Sequence, residues 1–515
     1  MAKAETFQDL ALGAPQDGQE LWRWLYSEIR GAILDGRLKR GSRLPSTRSL
    51  ASQYGLSRGT VTAAFDQLRE EGYTFTGIGS GTFVASGLPD DSMTARRERR
   101  VADLPQSHAS LSRQGRAMIE GIRLLPASQS IGKAFRNYEP AIDLFPMNLW
   151  SRIAGRVLRR APRTLYGQGN VGGFEPLRKA IAEYLGTARG VQCHADQILI
   201  TSGAQQALDL TSRLLIDPGD PAWVEDPCYS GARATLHAAG ADIIPVPVDG
   251  QGLNIASMRK STRAAKVIYT TPANQFPLGV TLSLERRLAL LKAATAAGAW
   301  IIEDEYDAEY RYFGRPVAAL HSLDHSGSII YIGTFTKMLF NALRLGFVVV
   351  PDRLVDAFRM LRSFVDRHPP TLDQAVLAEF ILDGHFGHHV RRMRQTYRER
   401  MSVLKEAAER HLKGALDVVE AAAGMRTVAW VKMDSVDLPV AERAMSLGLE
   451  LSALSQFTIR YPQPPALILG FAGCSKNEII RGVNVLAEAV DQKRFRAGVP
   501  LSALPARRRP GGPLA

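Results

Sequence analysis

The sequence predicts an α/β protein in two parts. A small winged helix-turn-helix comes first, followed, beyond a linker, by a large domain with a mostly parallel sheet and a small C-terminal α+β subdomain. Three observations carry this. Strand-like apolar runs alternate with helical stretches from Pro140 onward. Ahead of them, two capped helices flank a glycine turn and lead into an alternating run broken by glycines. Between the two, the composition shifts to Ser, Gln, Arg and Pro with weak periodicity. The boundaries expected are 18–86 for the winged helix, 87–139 for the linker, 140–492 for the large domain and 493–515 for a disordered basic tail.

A chain of 515 residues exceeds what one hydrophobic core organises, so several domains are expected. Hydrophobic residues at 45% and charged residues at 22% are ordinary for a soluble globular protein. No uncharged apolar run approaches the roughly 18 to 20 residues that span a bilayer, and the first residues lack the pattern of a signal peptide. A cytoplasmic protein is expected. Cys193, Cys228 and Cys474 have no CxxC spacing, which argues against disulfides and a cysteine metal site.

The net charge of +13 and pI near 9.7 suit a polyanionic partner, and the distribution is informative. From Arg23 to Thr62 there are eight Lys/Arg against Glu28 and Asp35 alone. Further basic runs, RRERR at 96–100 and RRRP at 507–510, lie in the linker and the tail.

In the first domain, Leu21, Leu25, Ile29 and Ile33 form one helical face ending at Asp35-Gly36. Ser46 caps a short helix through Tyr54, Gly55 turns the chain, and Ser57 caps a third helix with Val61, Phe65 and Leu68 inward. GYTFTGIGSGTFV, residues 72–84, is broken at Gly77, Gly79 and Gly81 and reads as a hairpin wing. Ser57, Arg58, Thr60 and Thr62 gather at the start of the third helix, with Arg48 on the helix before it. That is where a helix-turn-helix meets phosphates and base edges. In the linker, LSRQGRAMIEGIRLL at 111–125 has the pattern of one amphipathic helix.

The large domain supplies strand-like runs at ILIT (198), AWVED (222), KVIYTTP (266), AWII (299), IIYIG (329) and LGFVVV (345). A long helical stretch, RRMRQTYRERMSVLKEAAERHL, precedes the smaller α+β unit. Lys337 follows one apolar strand. Burial there lowers the pKa of an amine and frees it as a nucleophile for a Schiff base. Thr334 and Arg344 offer a hydroxyl and a guanidinium to one phosphate. Asp304 ends another apolar strand and suits a protonated pyridine nitrogen, and Tyr306, on the same side of the chain, suits the ring hydroxyl. Tyr229 is placed to stack on the ring. The Ser202-Gly203 turn opens a helix whose Ala204 and Gln205 amides are free for phosphate. Together these groups point to pyridoxal 5'-phosphate. No metal site is expected.

Two family resemblances rest on these residues. DGRLKRGSRLPSTRSLASQYGLSRGTVTAAFDQLREEGYTFTGIGSGTFV resembles the GntR family of winged-helix regulators, which implies that Arg48 and Arg58 contact DNA and that Gly81 lies at the wing tip in the minor groove. Ser49 stands where that family commonly has Glu, so the capping box with Ser46 is lost. TSGAQQAL, EDPCYSGAR, TTPANQFPLGV, IIEDEYDAEYRY and YIGTFTKMLFNALRLG resemble a fold-type I aminotransferase. With the first domain they resemble the MocR/GabR-type regulators over nearly the whole chain.

That resemblance implies the cofactor on Lys337, with Asp304, Tyr306, Tyr229, Thr334 and Arg344 in the roles above. Asn274 and Gln275 then face the ring where the family has His-Gln, and Tyr166 reaches the phosphate of a partner subunit. It also implies a homodimer, an operator in double-stranded DNA, a small-molecule effector and a place on the nucleoid when DNA is bound. An amino-acid-responsive member carries two carboxylate-binding arginines at positions matching Gly231 and Gln456, so Arg233 or Arg460 must substitute, or the effector is not such an amino acid. A regulator that senses the cofactor or an amine is the reading favoured. A working aminotransferase is the alternative, and the missing arginines count against it.

Overall fold

The computed structural model describes residues 12–15, 18–77, 81–89, 111–112, 115–116, 134–260, 263–314, 317–432 and 436–490. The RRERR run, the wing-tip Gly79, most of the linker with its expected amphipathic helix, and the basic tail lie outside the described residues. The chain divides into two compact units, Met1–Ser110 and Leu111–Ala515.

In the first unit, α1 (Leu21–Leu34) buries Trp24, Leu25, Ile29 and Ile33. Leu21, expected on that face, is 45% exposed, and Trp24 fills its place because the helix is only beginning at Leu21. Helix α2 (Thr47–Tyr54) is capped by Ser46, whose hydroxyl accepts from Ser49 N at 3.1 Å. Gly55 ends it at φ 64°, a conformation that costs a side-chain-bearing residue energy and glycine little. Helix α3 (Arg58–Glu70) is capped in the same way by Ser57, which accepts from Thr60 N at 3.0 Å, and buries Val61, Phe65 and Leu68. Strands β1 (Thr74–Gly77) and β2 (Gly81–Val84) pair antiparallel from Thr74↔Val84 to Gly77↔Gly81.

In the second unit, eight strands form one sheet. They are β3 (Ile198–Thr201), β4 (Pro221–Asp226), β5 (Asp242–Asp249), β6 (Gly252–Leu253), β7 (Val267–Thr270), β8 (Trp300–Glu305), β9 (Ile329–Thr334) and β10 (Gly346–Val349). Their order is β3-β10-β9-β8-β7-β4-β5-β6. Only β10, and the short β6 at the edge, run against the rest, so the sheet is mostly parallel. Both faces are covered and the central strands are apolar throughout. Strand β5 escapes a reading of the sequence because Pro245 and Pro247 interrupt it. It tolerates them because β6 pairs only with Val248 and Asp249, leaving the earlier part at the sheet edge.

The small subdomain is an antiparallel sheet of β11 (Leu416–Val418), β12 (Arg426–Val431), β13 (Ser452–Ala453) and β14 (Ala466–Gly470), in the order β11-β12-β14-β13. The helix Lys476–Val490 packs against the long helix His385–His411. A buried carboxylate ties this subdomain to the large sheet: Asp226, ending β4, accepts from the amides of Ile459, Arg460 and Tyr461 at 2.8, 2.7 and 2.7 Å.

The described chain resumes at Ala134, and from there it is packed on the small subdomain, six residues before the boundary expected at Pro140. Phe135 is fully buried and bridges to Gly470, Glu450 N donates to Ala134 O at 3.0 Å, and Arg136 pairs with Glu450 at 2.9 Å. Three glycines make the room. A Cβ at Gly470 would collide with the Arg136 carbonyl, one at Gly473 would lie 2.9 Å from Glu139 O, and one at Gly482 would lie 2.8 Å from the Phe135 ring.

Candidate functional site

On the first unit, the basic residues named for DNA stand on one short stretch of surface. Arg48 and Arg58 are exposed, as are Ser57 and Thr62. All three hydroxyls are already engaged: Ser57 and Thr60 bond each other at 2.8 Å at the cap, and Thr62 Oγ1 donates to Arg58 O at 2.9 Å within the helix. Gly81 has φ 108° and pairs with Gly77 as the last ladder pair before the wing tip. A Cβ there would lie 2.7 Å from Arg43 Nε. Gly81 therefore sits at the base of the tip.

In the second unit a cavity opens at the carboxyl ends of the parallel strands, where α/β sheets place their ligands. It brings together Lys337, Asp304, Tyr306, Tyr229, Thr334, Arg344, Gly203, Ala204 and Gln205 from segments far apart in sequence. Lys337 Nζ donates to Tyr138 O at 3.0 Å and to Asn341 Oδ1 at 3.3 Å. Burial, and then the nearby Arg426 and Arg344 cations, bring its pKa down to about 7, so a large share of the amine is uncharged at neutral pH.

Asp304 is buried at the end of β8. Its Oδ2 accepts from Tyr269 Oη at 2.8 Å, while Oδ1 has no partner. Burial raises its pKa to about 7, against the opposing effect of the Tyr269 bond. A bare carboxylate oxygen in this setting is satisfied by a ligand N–H carrying positive charge, and such a partner draws the proton off the acid. Tyr306 Oη donates to Asn274 O at 2.6 Å and accepts from Arg426. Tyr229 sets its ring edge-on to Phe276, with centroids 5.7 Å apart.

At the cavity's other end, Gly203 caps the helix Ala204–Leu215 at φ 82°, and the first amides of that helix have no carbonyl a turn earlier to bond. Arg344 adopts a left-handed conformation at φ 51°, unusual outside glycine, and donates from Nη2 to Ser202 O at 2.9 Å. Gly346 lets the strands close: a Cβ there would lie 2.8 Å from Gly203 Cα. Thr334 Oγ1 accepts from Thr336 N at 3.2 Å. Helix amides, a guanidinium and a hydroxyl meeting in one corner form an anion cradle, so the donor set fits a phosphorylated pyridine aldehyde at both ends.

Not every expected residue is in the cavity. Ser202 is exposed and contributes its carbonyl to Arg344 rather than a hydroxyl to the pocket. Gln275 is turned away: its Nε2 bonds Glu225 Oε2, Pro227 O and Phe276 O, because a buried carboxylate at Glu225 recruits every donor near it. Asn274 Nδ2 bonds Asp307 at 2.8 Å, and only its carbonyl touches the site, through Tyr306. Tyr166 is 60% exposed and donates to Leu158 O at 3.1 Å.

Gly231 has no space for any side chain, since a Cβ would lie 2.5 Å from the Tyr229 ring and 2.6 Å from Gln205 Oε1. Gln456 accepts from Ala453 N at 3.1 Å, and the Arg460 guanidinium lies over the ring of Tyr461. Neither these two nor Arg233 lines the cavity.

Five residues of the site were not singled out from the sequence: Tyr138, Tyr269, Phe276 and Thr336 line the cavity, and Arg426 stands behind its aromatic wall. Of these only Tyr269 carries a local signal, since it lies on an apolar strand beside the one carrying Asp304.

Compared with known proteins, residues 151–485 match the profile of aminotransferase class I and II, and residues 23–84 that of bacterial regulatory proteins of the gntR family. The chain is similar to the probable rhizopine catabolism regulatory protein MocR of Rhizobium meliloti, 41% identical over 480 residues that make up 93% of this chain and 95% of that one. It is also similar to the HTH-type transcriptional regulator TauR of Rhodobacter capsulatus, 35% identical over 410 residues, 77% and 81% of the two chains. Among solved structures, the multiple substrate aminotransferase from Thermococcus profundus superposes with a TM-score of 0.66 at 26% identity, covering 75% of this chain and 98% of that one.

Proposed function

The chain belongs to the MocR-type transcriptional regulators, in which a gntR-family winged helix is joined to an aminotransferase class I and II domain, and from that premise we propose that its large domain holds pyridoxal 5'-phosphate and reports occupancy of that site to operator DNA. The observation that carries this is the convergence of the Lys337 amine, the unpartnered Asp304 oxygen and the Gly203–Arg344 cradle on one cavity. When bound, the cofactor supplies an aldehyde that condenses with primary amines and a ring that draws off electrons.

The chain's residues then have distinct tasks. Lys337 presents its uncharged amine. Asp304 holds a positive ring nitrogen, with Tyr269 keeping the carboxylate oriented. The amides of Ala204 and Gln205, with Thr334 and Arg344, hold the phosphate, and Tyr229 closes over the ring. Tyr166, exposed on this subunit, serves the phosphate of a second copy in a homodimer. Arg48 and Arg58 meet the DNA, and a dimer offers two such surfaces to a two-part operator.

Two measurements test this reading. Uptake of pyridoxal phosphate on Lys337, followed by absorbance, accelerates as pH rises through about 7 and levels off above it, because the amine is free base beyond its depressed pKa. An ordinary lysine would keep gaining toward roughly pH 10. Footprinting of the DNA upstream of the chain's own gene shows a protected region whose occupancy changes when cofactor is added. Protection that is identical with and without cofactor removes the sensing role.

A further inference from the structure

Arg426, the first residue of β12, is an unusual group to bury. It is 5% exposed and its Nε has no hydrogen-bond partner; the buried Asp307 carboxylate acts on its charge, with no ion pair or hydrogen bond between the two among the described residues. Its guanidinium rests over three rings: Phe276 at 4.3 Å, Tyr306 at 4.8 Å and Tyr138 at 5.6 Å from their centroids. One N–H bonds Tyr306 Oη. The tyrosines and the Asp307 charge keep the guanidinium charged against burial, but none of them supplies an acceptor for its Nε. A guanidinium held this way is matched by an anion that arrives with a ligand.

The same Tyr138 ring also faces the Lys337 amine, with Nζ 5.1 Å from its centroid, so it lies between the two basic groups. Its negative face gives each a weak partner, and its own position is held at some cost. Tyr138 has φ 74° and Phe135 φ 68°, both in the left-handed region that side chains disfavour. A molecule with an amine for the Lys337 end and a carboxylate for the Arg426 end would take over both interactions with stronger ones.

We propose that Arg426 is the recognition group for the carboxylate of a small amino-acid effector, and that Tyr138 holds its place until that effector arrives. This rests on the reading of the cavity as a pyridoxal phosphate site. It answers the loss of arginine at Gly231 and Gln456: the first has no room for a side chain, and a different strand supplies the charge. Displacing Tyr138 moves the residue four positions from the resumption of the described chain at Ala134, on the segment that leads back to the linker.

The test uses the full-length, cofactor-loaded chain and amines matched in length, β-alanine against propylamine and γ-aminobutyrate against butylamine. Affinities are read from the change in cofactor absorption and from calorimetry. The wild-type chain prefers the carboxylate member of a pair by about tenfold or more. In Arg426→Gln that ratio falls to near one, and in Arg426→Lys, which keeps the charge without the planar fork, it falls partway. Tyr138→Ala leaves Arg426 in place and keeps or raises the ratio, which distinguishes loss of recognition from loss of fold. An unchanged ratio in Arg426→Gln, or no preference in the wild-type chain, overturns the proposal while leaving the cofactor site standing. Failure of the wild-type chain to take up cofactor at all overturns the underlying reading, and this proposal with it.

Discussion

Lys337→Ala abolishes the visible absorption band that the wild-type chain acquires with pyridoxal phosphate, and leaves no protein-bound label after borohydride reduction. The loss is complete rather than graded because Lys337 is the only lysine lining the cavity among the described residues. The rest of the donor set survives in the variant: the cradle of Gly203, Thr334 and Arg344 and the Asp304 carboxylate still hold the cofactor non-covalently, with reduced affinity. Asp304→Ala would fail differently, sparing the amine and losing the partner of the ring nitrogen. In Lys337→Ala an amine can condense only directly with the held aldehyde, without exchange from the lysine, so the response of DNA occupancy to amines is slower. Mass spectrometry of the reduced protein checks this directly, and a label at a lysine other than Lys337 would reassign the site.

Replacing Arg48 and Arg58 together by alanine has the second large effect, on operator binding. Each arginine is exposed at the surface formed by α2 and the start of α3. A good arginine contact with a base edge contributes about 1–3 kcal/mol, so the pair together lowers affinity by roughly a hundredfold or more. The plot of log affinity against log salt becomes shallower by about 1 for each phosphate that the variant no longer neutralises. Neither side chain supports the core, so the melting temperature of the double variant stays close to that of the wild-type chain. Gel-shift titrations at several salt concentrations separate the outcomes. A drop in affinity with an unchanged slope assigns the arginines to bases, and retained affinity would place the recognition surface elsewhere.

How far the sequence reaches is clearest by comparing particular residues. Lys337, Asp304, Thr334 and Arg344 were legible because each sits at or near the end of a strand, and in an α/β sheet strand ends converge on the ligand. Ser46, Gly55 and Ser57 were legible because caps and left-handed glycines obey local rules. Gln275 was misread because a polar residue after a strand can turn either way, and only the buried Glu225, 50 residues earlier in the chain, decides which. Pro245 and Pro247 hid β5, since the edge position that tolerates them is a property of the finished sheet.

Tyr138 and Arg426 are the sharper case. Tyr138 meets Lys337 across 199 residues of chain, and Arg426 meets Tyr306 across 120. No periodicity or motif relates such positions. The cations expected to serve an effector, Arg233 and Arg460, were chosen for nearness in sequence to the vacant arginine positions. The one that faces the cavity wall comes instead from β12 of the small subdomain.

The sequence by itself thus determined the two-part architecture, the winged helix and most of the strand-end residues that meet in one cavity of an aminotransferase-class domain, because caps, strand periods and strand-end residues are written within a few positions of one another. Only the tertiary structure decided which cation stands behind that site and that the end of the linker reaches into it. Those depend on how the small subdomain closes against the large sheet. That closure is fixed by long-range contacts, Asp226 on the amides of 459–461 and Gly470, Gly473 and Gly482 around the 134–139 segment, that no local stretch of the chain encodes alone.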